Sequence, residues 1–145
     1  MKKNVLTLLA GAALLCACQP AQKNITISGT LTGVESDTLL VTHAALPTVS
    51  GGSSATKLDT VALLDGKFSL TLECDTLPIQ AVIFAKPAGN KMLNMTQNIR
   101  IVAFPNDALT VNGSLEDYKV EGSDFYASLN EAEKTWQPTI DSLQT

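Results

Sequence analysis

Leu58-Asp59-Thr60-Val61-Ala62-Leu63-Leu64-Asp65-Gly66-Lys67-Phe68-Ser69-Leu70-Thr71-Leu72 is the stretch that decides the fold class of this chain. Apolar and polar side chains alternate on both sides of Asp65-Gly66, the period-two pattern of strands with one buried and one wet face. The Asp-Gly dipeptide suits a two-residue type I′ turn, which needs positive φ at both central positions and whose twist matches that of paired strands. Counting outward pairs Leu63 with Phe68 and Val61 with Leu70 on the core face. Ala62 then meets Ser69, and Thr60 meets Thr71, on the wet face. A β-hairpin over 58–72 is therefore expected.

The alternation recurs on either side. Upstream, Ile25, Ile27 and Leu31 alternate with Thr26, Ser28 and Thr30, interrupted by Gly29, which reads as a bulge. Residues 37–42 give a further strand after the Gly33-Val34-Glu35-Ser36 turn. Residues 44–56, with Pro47, Gly51, Gly52 and several Ser and Thr, read as a flexible loop. Downstream, 77–86, 98–104 and 108–112 read as strands, the last two separated by Pro105-Asn106-Asp107. About seven short strands joined by polar turns make a mainly β fold, either an antiparallel β-sandwich or a partly open barrel. After Gly122 the period changes. Phe125, Leu129, Ala132, Trp136, Ile140 and Leu143 recur every three or four residues, which predicts a C-terminal amphipathic helix capped by Ser123 and kinked or ended at Pro138. Phe125, Tyr126 and Trp136 gather aromatic side chains there, so the stripe either packs on the sheet or forms a docking face. The chain reaches Thr145 without a terminal glycine or a further strand, as expected of a linker helix leading onward.

The N-terminus speaks to compartment. Met1-Lys2-Lys3-Asn4 is a short basic head, and the apolar run from Val5 to Leu15 is about 17 Å long as a helix, too short to span a bilayer. Leu15-Cys16-Ala17-Cys18 follows, with the form of a bacterial lipobox. A small residue just before the cysteine and a branched aliphatic three before it select Cys18, not Cys16, as the lipidated residue, and processing would discard Cys16. The expected division is a lipoprotein signal peptide over 1–17, a lipidated tether over 18–23, a β-domain over 24–121 and a helix or linker over 122–145. A membrane partner is thus expected through the acyl chains on Cys18. A plain N-terminal anchor or a buried apolar strand is the other account of this run.

Composition narrows the class. With 45% hydrophobic and 17% charged residues in 145, the chain suits one small globular domain and neither an acidic disordered tail nor a multi-pass membrane protein. Asp and Glu number 14 against 10 Lys and Arg, so no nucleic-acid partner is expected. His43 is the sole histidine, at the edge of the 44–56 loop, and reads as an exposed or capping imidazole. Ser53 and Ser54 lie beside Gly51-Gly52 without a Gly-x-Ser-x-Gly elbow and read as loop. Cys74 shares parity with Phe68, Leu70 and Leu72, so it is expected in the core as an inert thiol, and no CxxC pair exists to run a dithiol cycle. Carboxylates at Asp37, Asp59, Asp65, Glu73, Asp75, Asp107, Glu116 and Asp117 are scattered as turn and surface residues, though a glycosidase pair would be a three-dimensional property. No catalytic, cofactor-binding or metal-binding set is expected in this chain, and no cofactor.

Ile25-Thr26-Ile27-Ser28-Gly29-Thr30-Leu31-Thr32-Gly33, Leu58-Asp59-Thr60-Val61, Asp65-Gly66-Lys67-Phe68-Ser69-Leu70, Leu109-Thr110-Val111-Asn112-Gly113 and Val120-Glu121-Gly122-Ser123 together resemble the DUF4369 domain of Bacteroidetes lipoproteins, over roughly 24–130. In that family the domain precedes a thioredoxin-like, TlpA/ResA-type thiol-disulfide oxidoreductase domain with a Trp-Cys-x-x-Cys motif, which this chain does not contain. The resemblance implies a non-catalytic accessory module that works with a thioredoxin-like domain or an envelope partner, and it carries no catalytic residue to any position here. The residues after Cys18 lack the acidic cluster that resembles a surface-export signal in such lipoproteins, which implies the periplasmic side of the outer membrane. The other expectation is an envelope lipoprotein that binds a glycan or peptide with the 44–56 loop and nearby strand ends.

Overall fold

The computed structural model describes residues 23–47 and 55–143. Cys16, Cys18, Ser53 and Ser54 lie outside these residues. Eight strands and one helix follow one another among those described: β1 Lys23–Leu31, β2 Thr38–Ala45, β3 Lys57–Ala62, β4 Lys67–Cys74, β5 Ile79–Ala85, β6 Ile99–Ala103, β7 Ala108–Gly113, β8 Tyr118–Glu121 and α1 Asp124–Leu143. They form two four-stranded sheets, in the orders β4-β1-β7-β8 and β3-β2-β5-β6. All pairs are antiparallel except β1 with β7, which run parallel. No barrel closes, and the fold is a β-sandwich. The inner face of the first sheet supplies Ile25, Ile27, Leu70, Leu72, Leu109 and Val111. Against it stand Leu39, Val41, Ile83, Ile99 and Ile101 of the second, all buried.

The turn at Asp65-Gly66 forms as expected, but the hairpin does not. Both residues have positive φ, 50° and 75°, and Leu64 and Lys67 exchange backbone hydrogen bonds of 2.9 and 2.8 Å across it. Beyond that one bridge the strands part. β3 pairs with β2 (Val61 opposite Leu39) and β4 pairs with β1 (Leu70 opposite Ile27), so Leu63 is not opposite Phe68 and Val61 is not opposite Leu70. The expected faces survive: Leu63, Phe68 and Leu70 are buried, while Thr60, Ala62, Ser69 and Thr71 are exposed. The reason for the split is burial. In a flat hairpin the apolar rows of β3 and β4 would lie side by side and wait for a cover, whereas on two sheets they close on a shared core.

One further expectation needs correcting. Gly29 is not a bulge, because its register is regular on both sides, with Phe68 of β4 and Val111 of β7. Its lack of a side chain serves close approach instead, since a Cβ at this position would run into the Val111 carbonyl. The strands number eight among the described residues, where about seven were expected. The extra one, β8, has four residues, two of them charged, and shows no long alternation to announce it.

Connections alternate between two ends of the sandwich. The 63–66 turn and the loops at 32–37, 86–98 and 114–117 share one end. At the other lie Lys23, the turns at 75–78 and 104–107, and the start of α1. Contacts there tie the pieces together: the Thr26 amide donates to the Asp107 carbonyl, and the Phe104 and Phe125 rings stand 5.7 Å apart. The chain therefore enters β1 and leaves into the helix at the same end.

Candidate functional site

A sandwich leaves two long openings between its sheets, each flanked by a pair of edge strands. Here they are β6 with β8 on one side and β3 with β4 on the other. They differ in what covers them.

Side chains seal the β6/β8 opening. The Ser123 hydroxyl accepts the Tyr126 amide at 3.3 Å and starts α1, as its sequence position predicted. This cap aims Tyr126, 6% exposed, back into the opening. Its hydroxyl accepts the outward Val102 N–H of β6 at 2.9 Å, and the Tyr118 hydroxyl of β8 accepts that of Arg100 at 3.0 Å. Asn130 of α1 donates its amide to the Val120 carbonyl of β8 at 3.1 Å. The Arg100 and Val102 amides and the Val120 carbonyl, groups of the kind that otherwise invite another strand, are thus occupied. Burial raises the pKa of the Tyr126 phenol. The contact with the Val102 amide opposes that rise, and Tyr118 and Asp107 add to it. A groove of about 360 Å³ remains beside the helix, with Arg100, Tyr118, Phe125, Leu129 and Glu133 among its walls.

Beyond its first two turns, α1 leaves the sandwich. Of the predicted apolar stripe, Phe125 meets Phe104, whereas Leu129, Trp136, Ile140 and Leu143 are exposed, with Trp136 at 54%. The helix docks through Tyr126, one of the aromatic residues gathered there. The helix also runs through Pro138 to Leu143 instead of ending there.

The β3/β4 opening is a cleft of about 390 Å³, walled by residues 59–62 and 69–72. One of its walls, Asp59, holds a buried histidine. His43 sits within β2, 6% exposed, and its Nε2 donates to Asp59 Oδ2 at 2.8 Å. The expectation of an exposed or capping imidazole is therefore corrected. The parity that places Leu39 and Val41 in the core also turns His43 inward, and Asp59, on the edge strand, satisfies it from the solvent side.

The remaining residues singled out above are spread apart. Cys74 is half-buried at the margin of the core, its Sγ donating to the Lys23 carbonyl at 3.0 Å. Burial pushes its pKa up. The Asn106 backbone and the Lys23 charge pull the other way, and Asp75 and Asp107 reinforce the rise, so the thiol stays protonated at neutral pH. The carboxylates serve turns and neighbours: Asp107 accepts the Phe104 amide at 2.9 Å, Asp37 accepts the Thr38 hydroxyl at 2.8 Å, and Glu116 accepts from Gln97. Each of the two clefts is lined by one carboxylate, Glu133 or Asp59. Among the described residues no three His, Cys, Asp or Glu side chains gather as a metal site, and no helix is long and apolar enough to cross a membrane. Tyr126 stands among the aromatics gathered near the C-terminus, but nothing in the sequence marks it, Tyr118 or Asn130 as the residues that cover one edge.

The fold and its two unequal edges define a small β-sandwich with an appended helix. The family model for the domain of unknown function DUF4369 matches residues 25–128, and the chain belongs to that family. A search of the curated proteins finds no match. Among solved structures, a chain from the structure of a disulfide-locked mutant of intermedilysin with human CD59 is similar at 10% identity and a TM-score of 0.27. That alignment covers 70% of this chain and 24% of the other, and the likeness is too slight to carry an argument.

Proposed function

We propose that this protein is a membrane-tethered, non-catalytic interaction domain of a cell-envelope lipoprotein, lipidated at Cys18 and held at the periplasmic side of the outer membrane. It works beside a thioredoxin-like thiol-disulfide oxidoreductase module, as the family resemblance implies. The observation that carries the interaction role is the helix. A stripe of Leu129, Trp136 and Ile140 stands in water on a helix rooted by Tyr126, and exposed apolar surface of this kind marks a place of association. Its root lies at the end where Lys23 enters β1, so a tether at Cys18 and a partner on α1 would both approach from that end.

Two measurements test this. Cys18→Ala should move the protein from the membrane to the soluble periplasmic fraction, and an unchanged distribution on fractionation would remove the tether. Leu129→Ser with Trp136→Ser should abolish crosslinking in the cell envelope to a CxxC-bearing thioredoxin-like protein. If crosslinking persists, the helix is not the docking element.

A further inference from the structure

The unzipped hairpin leaves an unusual arrangement of backbone groups. Along an antiparallel strand the residues alternate between those bonding one neighbour and those turned away from it. The Leu63 amide bonds Asp37 beside β2, so Leu58, Thr60 and Ala62 turn their N–H and C=O groups away from β2. Likewise the Leu31 amide bonds Gly66 beside β1, so Ser69 and Thr71 turn theirs away from β1. Residues of both rows, Thr60 and Ala62 with Ser69 and Thr71, line the same cleft. At its closed tip the outward groups of Leu64 and Lys67 have found each other, and below that bridge the rows separate.

The cleft between the two rows has a volume of about 390 Å³. One extended segment laid between β3 and β4 would bond both rows and replace the ladder the hairpin never formed. Its inward side chains would meet Val61, Leu70 and Leu72, which border the core at this cleft, and its outward ones would meet solvent. The opposite edge supplies the contrast: there Tyr118, Tyr126 and Asn130 already occupy the outward groups.

We infer that the β3/β4 cleft receives an extended peptide segment of another polypeptide, with alternating apolar and polar side chains, which adds as a strand between the two sheets. The inference concerns the edge opposite α1 and stands whether or not the helix binds a thioredoxin-like partner.

The test uses the full-length protein in detergent and peptides selected against it from a phage-displayed random library. Selected peptides should alternate apolar and polar residues and slow amide exchange at Leu58, Thr60, Ala62, Ser69 and Thr71 by about tenfold or more. Thr60→Pro with Thr71→Pro removes two outward N–H groups that serve neither ladder, and should weaken the same peptides by about tenfold or more. The pair Leu129→Ser and Trp136→Ser should leave them bound as before. Exchange on the unsubstituted protein decides the question even if the proline variant misfolds. Failure to select any peptide, protection on α1 instead of the two strands, or light scattering that shows two copies of the chain joined through this edge would each overturn the inference.

Discussion

The two edges of this sandwich are built from the same kind of strand yet end differently. At β6/β8, two tyrosine hydroxyls and an asparagine amide take the outward backbone groups, and the first turns of α1 lie over the opening. At β3/β4 one bridge beside the Asp65-Gly66 turn joins the strands, and the cleft below it is open. The difference shows that an edge is closed by side chains arriving from elsewhere in the chain, and that a turn alone does not close one. An exposed edge is a template for pairing, so the edge without such side chains is the one where a partner strand belongs.

Three variants sharpen or break that comparison. Tyr126→Ala removes a buried ring and the acceptor for Val102 together, and should cost about 3–5 kcal/mol in urea denaturation. A loss no larger than that of a surface substitution would mean that the helix does not close the β6/β8 edge. Asp65→Ala with Gly66→Ala should cost about 2 kcal/mol, because both positions hold positive φ and a Cβ at Gly66 meets the Leu31 carbonyl. An unchanged midpoint would show that β1 and β2 hold the open edge without help from the turn.

Tyr126→Phe keeps the ring and loses the hydrogen bond, for about 1 kcal/mol near neutral pH. Here the pH dependence adds a second measure. Burial raises the phenol's pKa in the folded protein, so the unfolded chain ionises first. Stability is full below the ordinary tyrosine value of about 10 and declines as pH rises past it, since the unfolded state then binds fewer protons. The phenylalanine variant should lose this part of the alkaline decline, and parallel denaturation curves across that range would count against a buried Tyr126.

Much of the fold was legible in the sequence. Period-two alternation placed Ile25, Ile27, Phe68 and Leu70 on the buried face, Asp65-Gly66 announced its turn, and Ser123 announced the start of the helix. Other features were not legible. His43 looked like a loop residue because its neighbours after Ala45 are loop-like, although its parity with Leu39 and Val41 was there to be used. The stripe of Leu129, Trp136 and Ile140 has the spacing of a packed helix, and periodicity cannot say whether anything lies opposite it. Tyr118 and Tyr126 could not be paired with Arg100 and Val102 before it was known which strands are edges.

By itself, then, the sequence determined what is local: which residues alternate, where the backbone can take positive φ, and where a helix can begin. Tertiary structure alone decided the partners. The sequence around Asp65-Gly66 is compatible with a hairpin and with a strand pair split between two sheets, because the turn and the alternation are the same in both. What separates them is where β1 and β2 lie and how much apolar surface closes when the two rows face each other across a core. Those quantities come from residues distant along the chain.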